Sequence, residues 1–105
     1  MERANEALGS YKGSMLGIGR YIAGISPWEK NTNEDELLYV ADGSVSLEIL
    51  ADDGSSEIFE IGDGRLIVIP SGNWRQLTAT YNVNIMFASP LEDGAERTRE
   101  HPCGS

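Results

Sequence analysis

Histidine and cysteine are almost missing from this chain, with one of each in 105 residues, His101 and Cys103. A lone cysteine excludes an internal disulfide and the disulfide-stapled class of small domains, so a reducing, cytoplasmic setting is the simplest expectation. Cys103 sits in a polar stretch before Gly-Ser and reads as an incidental thiol. With the sole histidine also in that stretch, Ser44, Ser55 and Ser71 have no imidazole to activate them, which excludes a serine triad. Basic residues are scarce too: eight Lys and Arg face 17 Asp and Glu, for a net charge of −9. That balance disfavours nucleic acid, whose phosphates need clustered cations, and it repels anionic membranes. No apolar run approaches the roughly 20 residues of a spanning helix. The opening MERANEALGS has no apolar core after its charges, so it does not read as a secretory signal.

What is present is a pattern of short alternating runs cut by Gly and Asp, in a chain long enough for one domain. Met15–Ile25 is Gly-rich and compatible with a strand, and Gly17-Ile-Gly19 does not open a helix, so a dinucleotide site is excluded. Glu36–Val40 reads as a strand ending at Asp42-Gly43. Val45, Leu47 and Ile49 alternate with polar neighbours, the period of a half-buried strand. Ala51-Asp-Asp-Gly54 turns the chain, and Glu57–Ile61 returns as a hairpin partner. Leu66–Ile69 is an apolar strand stopped by Pro70, and Trp74–Thr80 and Val83–Ala88 complete the set. Gly43 and Gly64 each close an Asp-Gly turn that needs positive φ. Short strands with frequent turns and no long helical period predict an all-β sandwich or barrel. The division is an N-terminal arm (1–12, disordered or briefly helical), a barrel (13–90) and a polar tail (91–105). The tail's one candidate element is a helix around Leu91–Arg99.

Two frames give the barrel a closer identity. Gly24, Lys30, Thr32, Glu36 and Gly43 fall in the spacing G-x5-H-x-H-x3-E-x6-G, and Gly64, Pro70, Gly72 and Arg75 fall in G-x5-P-x-G-x2-H. Together, in order and around a single hairpin, they resemble the paired motifs of the cupin family over about residues 13–90. Trp28 and the string Asp35-Glu-Leu-Leu-Tyr-Val40 strengthen the likeness. The resemblance implies a jelly-roll barrel of two antiparallel sheets, the double-stranded β-helix, and a homodimer formed by strand exchange or sheet packing. Family members bind a divalent metal at the positions that here hold Lys30, Thr32, Glu36 and Arg75. Ammonium and guanidinium groups offer no lone pair and repel a cation, so no metal and no cofactor are expected.

Three readings of the altered site remain open. In the first, the barrel binds a small anionic organic ligand. Arg75 and Lys30 supply the cations and Thr32 and Glu36 the further polar contacts. Trp74, Trp28, Tyr21 and Leu38 form apolar walls in this reading. In the second, a metal-independent isomerase, lyase or cyclase uses Glu36 as catalytic base and Arg75 to stabilise an oxyanion. In the third, Glu36 pairs with Arg75 or Lys30 and the barrel is a packed structural or interaction module.

Overall fold

The computed structural model describes residues 3–11, 14–32, 35–90 and 95–103, and among these there is no helix. Eleven strands among the described residues form two antiparallel sheets. The first sheet contains β1 (Arg3–Tyr11), β2 (Ser14–Tyr21), β10 (Val83–Pro90), β5 (Glu36–Asp42) and β8 (Arg65–Ile69), in that spatial order. The second contains β11 (Ala95–Thr98), β4 (Trp28–Asn31), β9 (Arg75–Ala79), β6 (Val45–Leu50) and β7 (Ser56–Ile61), with the two-residue β3 (Gly24–Ile25) also on β9. Six of the seven strands expected between Met15 and Ala88 are present with ends shifted by a residue or two; Met15–Ile25 is instead split into β2 and β3, and β4 was not expected. Consecutive strands repeatedly change sheet, the connectivity of a jelly roll.

Both ends of the chain differ from expectation. Arg3–Tyr11 is a strand paired to β2, not a helical or disordered arm. Ala95–Thr98 pairs with β4 as a strand rather than a helix, and residues 91–94 lie outside the described residues. Local polarity suggested solvated segments, but an unpaired sheet edge offers a row of backbone partners to any neighbouring segment, whatever its side chains.

Alternation sets the core. Glu36, Leu38 and Val40 of β5, Val45 and Leu47 of β6, and Arg75, Leu77 and Ala79 of β9 are buried, while their neighbours face outward. Tyr21, Ile61, Ile69, Val83 and Ile85 join them in one cluster. Leu47 is fully buried at its centre, so Leu47→Ala is expected to cost about 2–5 kcal/mol, read by urea unfolding. Close packing continues to Gly17, which lies opposite Phe87 in the ladder. A Cβ on Gly17 would fall 2.5 Å from the Phe87 ring. Gly17→Ala is therefore expected to destabilise by about 1–3 kcal/mol, and Phe87→Leu in the same chain to relieve most of it.

The turns follow their chemistry. Gly43 (φ 99°) closes β5 to β6 and Gly64 (φ 76°) closes β7 to β8, both in the left-handed region that glycine enters without strain. The Gly43 N–H donates to Asp63 Oδ1 at 2.7 Å, tying the two turns together. In the β6–β7 turn, Asp53 Oδ1 accepts from the Ser55 hydroxyl (2.6 Å) and N–H (2.9 Å). Those donors lower the Asp53 pKa, so its small contribution is present above the normal carboxylate range and lost as acid protonates it.

Candidate functional site

The polar part of the interior is a chain of charges at one end of the barrel. Glu36 begins β5 and points inward with Leu38 and Val40; Arg75 begins β9 and points inward with Leu77 and Ala79. Both are 7% exposed. Arg75 Nη2 lies 2.5 Å from Glu36 Oε1 and 3.9 Å from Glu29 Oε2. Arg97 of β11 then reaches Glu29 Oε2 with its Nε at 3.3 Å. The order Glu36, Arg75, Glu29, Arg97 runs from the interior to an exposed rim, with charge alternating at each step. Arg75 Nε, although buried, meets no hydrogen-bond acceptor among the described residues.

Glu29 was not among the candidates and takes the place expected of Lys30. In the ladder Glu29 stands opposite Arg75, so both side chains lie on the inner face, and Asn31 shares that face by alternation. Lys30 therefore lies on the outer face, where its Nζ pairs with Glu96 at 3.1 Å and sits 5.0 Å from the centre of the Trp74 ring. Thr32 is exposed beyond the end of β4. The first frame thus slips by one: positions 29 and 31 face the site, with one more residue before Glu36 than the motif allows. A signal was available in the charges. Lys30 and Arg75 against one carboxylate would leave excess positive charge in a low-dielectric interior, whereas Glu29 compensates it.

The expected apolar walls are also redistributed. Trp28 is buried on the outer face, its ring 5.2 Å from that of His101 in an edge-on contact, so the polar tail covers it. Trp74 shares that side with Lys30. Tyr21 is in the core opposite Val83, roughly 20 Å along the sheet from the row of Glu36. Leu38 shares the inner face with Glu36 as expected, but it is a packed core residue. Of the candidates, the structure brings Glu36 and Arg75 together and leaves the others outside the charge chain.

An open space adjoins this end. The sheets part between β7 and β8, leaving a half-open cavity of about 450 Å³ lined by Ile49, Phe59, Ile67, Val68 and Pro70. Ser55, Ser56, Glu57 and Asn73 supply its polar groups. Phe59 and Ile67 lie opposite the buried Leu47 and Leu38, so they face the interior without being covered there. Ile49, which stands opposite Arg75 in the ladder, is among the residues lining the cavity; Arg75, Glu29 and Glu36 are not.

A divalent ion does not fit this arrangement. The Arg75 guanidinium already supplies the positive charge between the two carboxylates, and it has no lone pair to coordinate. No three His, Cys, Asp or Glu side chains gather among the described residues.

No family model and no curated relative matches the chain. Solved structures do. A cupin-2 domain protein from Shewanella frigidimarina aligns over 83% of this chain and 79% of its own, with TM-score 0.68 and 21% identity. A cupin superfamily protein from Desulfitobacterium hafniense covers 87% and 79%, with TM-score 0.71 and 8% identity. Oxalate oxidase in complex with glycolate covers 90% of this chain but 54% of that one, with TM-score 0.72 and 15% identity. Two antiparallel sheets, jelly-roll connectivity and these structural neighbours agree: this chain has the cupin fold.

Proposed function

We propose that the barrel binds a small organic molecule with an apolar body and one oxygen acceptor, without a metal. The observation that carries this reading is Arg75 Nε, a buried donor with no acceptor among the described residues. A buried donor left unmade costs about 1–3 kcal/mol, which a ligand oxygen recovers. The cavity beside Ile49 has the volume and apolar lining of a small-molecule site. Charge counting changes the expected ligand. Lys30 and Arg75 against Glu36 favoured an anion; Arg75 against Glu29 and Glu36, with Arg97 only at the rim, offers no surplus positive charge. A neutral carbonyl or phenol oxygen fits better than a carboxylate.

Two hydroquinone dioxygenases of the same fold carry suitable probes: one was solved with 4-hydroxybenzonitrile and another with 4-hydroxybenzoate. The first is neutral and the second an anion of similar size. Methyl NMR titration is expected to show 4-hydroxybenzonitrile perturbing Ile49 and Ile67, with 4-hydroxybenzoate weaker. Arg75→Lys keeps the charge and loses the fork, so it is expected to weaken the neutral probe by about tenfold or more. The Glu36–Arg75 contact also favours a packed structural barrel. That second reading stands if neither aromatic probe moves any methyl of the cavity.

A further inference from the structure

The second sheet carries one inward-facing charge that the Glu36–Arg75 pairing does not use. The inward positions of β7 are Glu57, Phe59 and Ile61, opposite Ile49, Leu47 and Val45. Phe59 and Ile61 set apolar against apolar, but Glu57 puts a carboxylate where alternation calls for an apolar side chain. Glu57 lines the half-open cavity, and no lysine, arginine or histidine is among the lining residues. The ladder sets Glu29, Arg75, Ile49 and Glu57 in one row across the sheet. Arg75 thus stands two strands from Glu57, about 10 Å away, with its charge engaged by Glu36 and Glu29. Among the described residues Glu57 has no ion-pair partner. The other polar groups of the lining share its bias. Ser55 donates its hydroxyl hydrogen to Asp53 Oδ1 at 2.6 Å, and Asn73 Nδ2 donates to the Leu50 carbonyl at 2.8 Å. What the two offer a ligand is chiefly acceptor oxygen, and Asp53 adds a second negative charge beside Ser55.

We infer that the cavity takes an organic cation, with an ammonium group held by Glu57 and an apolar body over Ile49, Phe59 and Ile67. This rests on the proposed small-molecule site and adds the charge that its ligand carries. A primary ammonium brings three donors and no acceptor, the complement of a carboxylate flanked by hydroxyl and amide oxygens. Phe59 lies two residues along the same face, about 7 Å from Glu57, and is 37% exposed, so a cation beside Glu57 is within reach of its ring. The net charge of −9 acts in the same direction, drawing cations toward the opening and repelling anions. β7 is an edge strand, and an edge strand can carry an inward charge simply to prevent pairing with another chain. That role needs no ligand and gives an ammonium group no advantage over a neutral one.

Methyl NMR titration of the full chain with phenols of matched length reads that difference: tyramine as the cation, tyrosol as the neutral form and 3-(4-hydroxyphenyl)propionate as the anion. Tyramine is expected to move the Ile49 and Ile67 methyls with a Kd about tenfold below that of tyrosol, and the propionate to bind weakest. Glu57→Gln keeps the size and loses the charge. It is expected to weaken tyramine by about fivefold and to leave tyrosol within about twofold. Raising the salt from about 0.1 to about 1 M, which shortens the screening length from about 10 to 3 Å, is expected to narrow the wild type's preference for tyramine. Equal affinity for tyramine and tyrosol overturns the inference and leaves the small-molecule site standing. A preference that survives Glu57→Gln, or that high salt leaves unchanged, also overturns it. If Glu57→Gln does not fold, the salt dependence of the wild type decides. Should none of the phenols move a cavity methyl, the site and its charge selection fail together.

Discussion

Arg75→Met is expected to lower the unfolding free energy by about 3–5 kcal/mol, the cost of stranding buried charge by removing its partner. Two carboxylates depend on this guanidinium, Glu36 at 2.5 Å and Glu29 at 3.9 Å, and Glu36 is nearly without solvent to replace it. For a domain with a typical stability of about 5–15 kcal/mol, that is a large fraction of the whole. Lys30→Ala provides the contrast. Lys30 pairs with a half-exposed Glu96 on the outer face, and such pairs contribute about 0–1 kcal/mol. The comparison also separates the two ways of framing the first motif. If Lys30 were the interior cation, its loss would match that of Arg75; urea unfolding of both variants decides. A triple variant, Arg75→Met with Glu29→Gln and Glu36→Gln, removes every stranded charge and is expected to regain much of the lost stability. Failure of that recovery would place the cost in packing rather than in charge.

How far the sequence could be read depended on whether a signal was periodic or positional. Strands β5, β6 and β8 declare themselves because one face must be apolar, and alternation in Glu36–Val40 and Val45–Ile49 is visible without a structure. The glycines at 43 and 64 were legible for a backbone reason that needs no partner. Strands β1 and β11 were not. Their pairing with β2 and β4 depends on free hydrogen-bonding edges elsewhere in the fold, and no local pattern in Arg3–Tyr11 or Ala95–Thr98 encodes that. The site illustrates the same limit. Glu36 and Arg75 face the interior as the pattern implied, because each begins a well-patterned strand. The third position was displaced by one because β4 is only four residues long, too short for alternation to show which of Glu29 and Lys30 faces inward. In a strand a slip of one residue exchanges the inner and outer faces, so a small error in spacing changed the sign of the charge assigned to the interior. Trp28 moved for the same reason: it belongs to the face opposite Glu29, under the tail that holds His101.

Arg75→His is expected to give the barrel a divalent-metal site it does not have with arginine at that position. In the wild type the guanidinium takes the part of the cation, held by Glu36 on one side and Glu29 on the other, with those two oxygens at most 6.4 Å apart, the sum of their distances to Nη2. The imidazole introduced at position 75 exchanges a fixed positive charge for a neutral nitrogen donor. Two carboxylates and an imidazole are then three ligands of the kind that zinc accepts, and Asn31 shares their face. Without metal this variant lacks the counter-charge for its carboxylates and is expected to be less stable than the wild type. With Zn²⁺ at 100 times its Kd it is expected to regain about 2.7 kcal/mol, while the wild type shows no shift at the same concentration. Adding Glu36→Gln to Arg75→His removes a ligand and is expected to abolish the regain. An equal response of the wild type to Zn²⁺ would mean that the guanidinium does not occupy the cation's place. A folded Arg75→His chain indifferent to Zn²⁺ would mean that Glu29 and Glu36 are held too far apart to act together. The experiment asks the central electrostatic question directly, because the same two carboxylates must choose between a guanidinium that is part of the chain and an ion that is not.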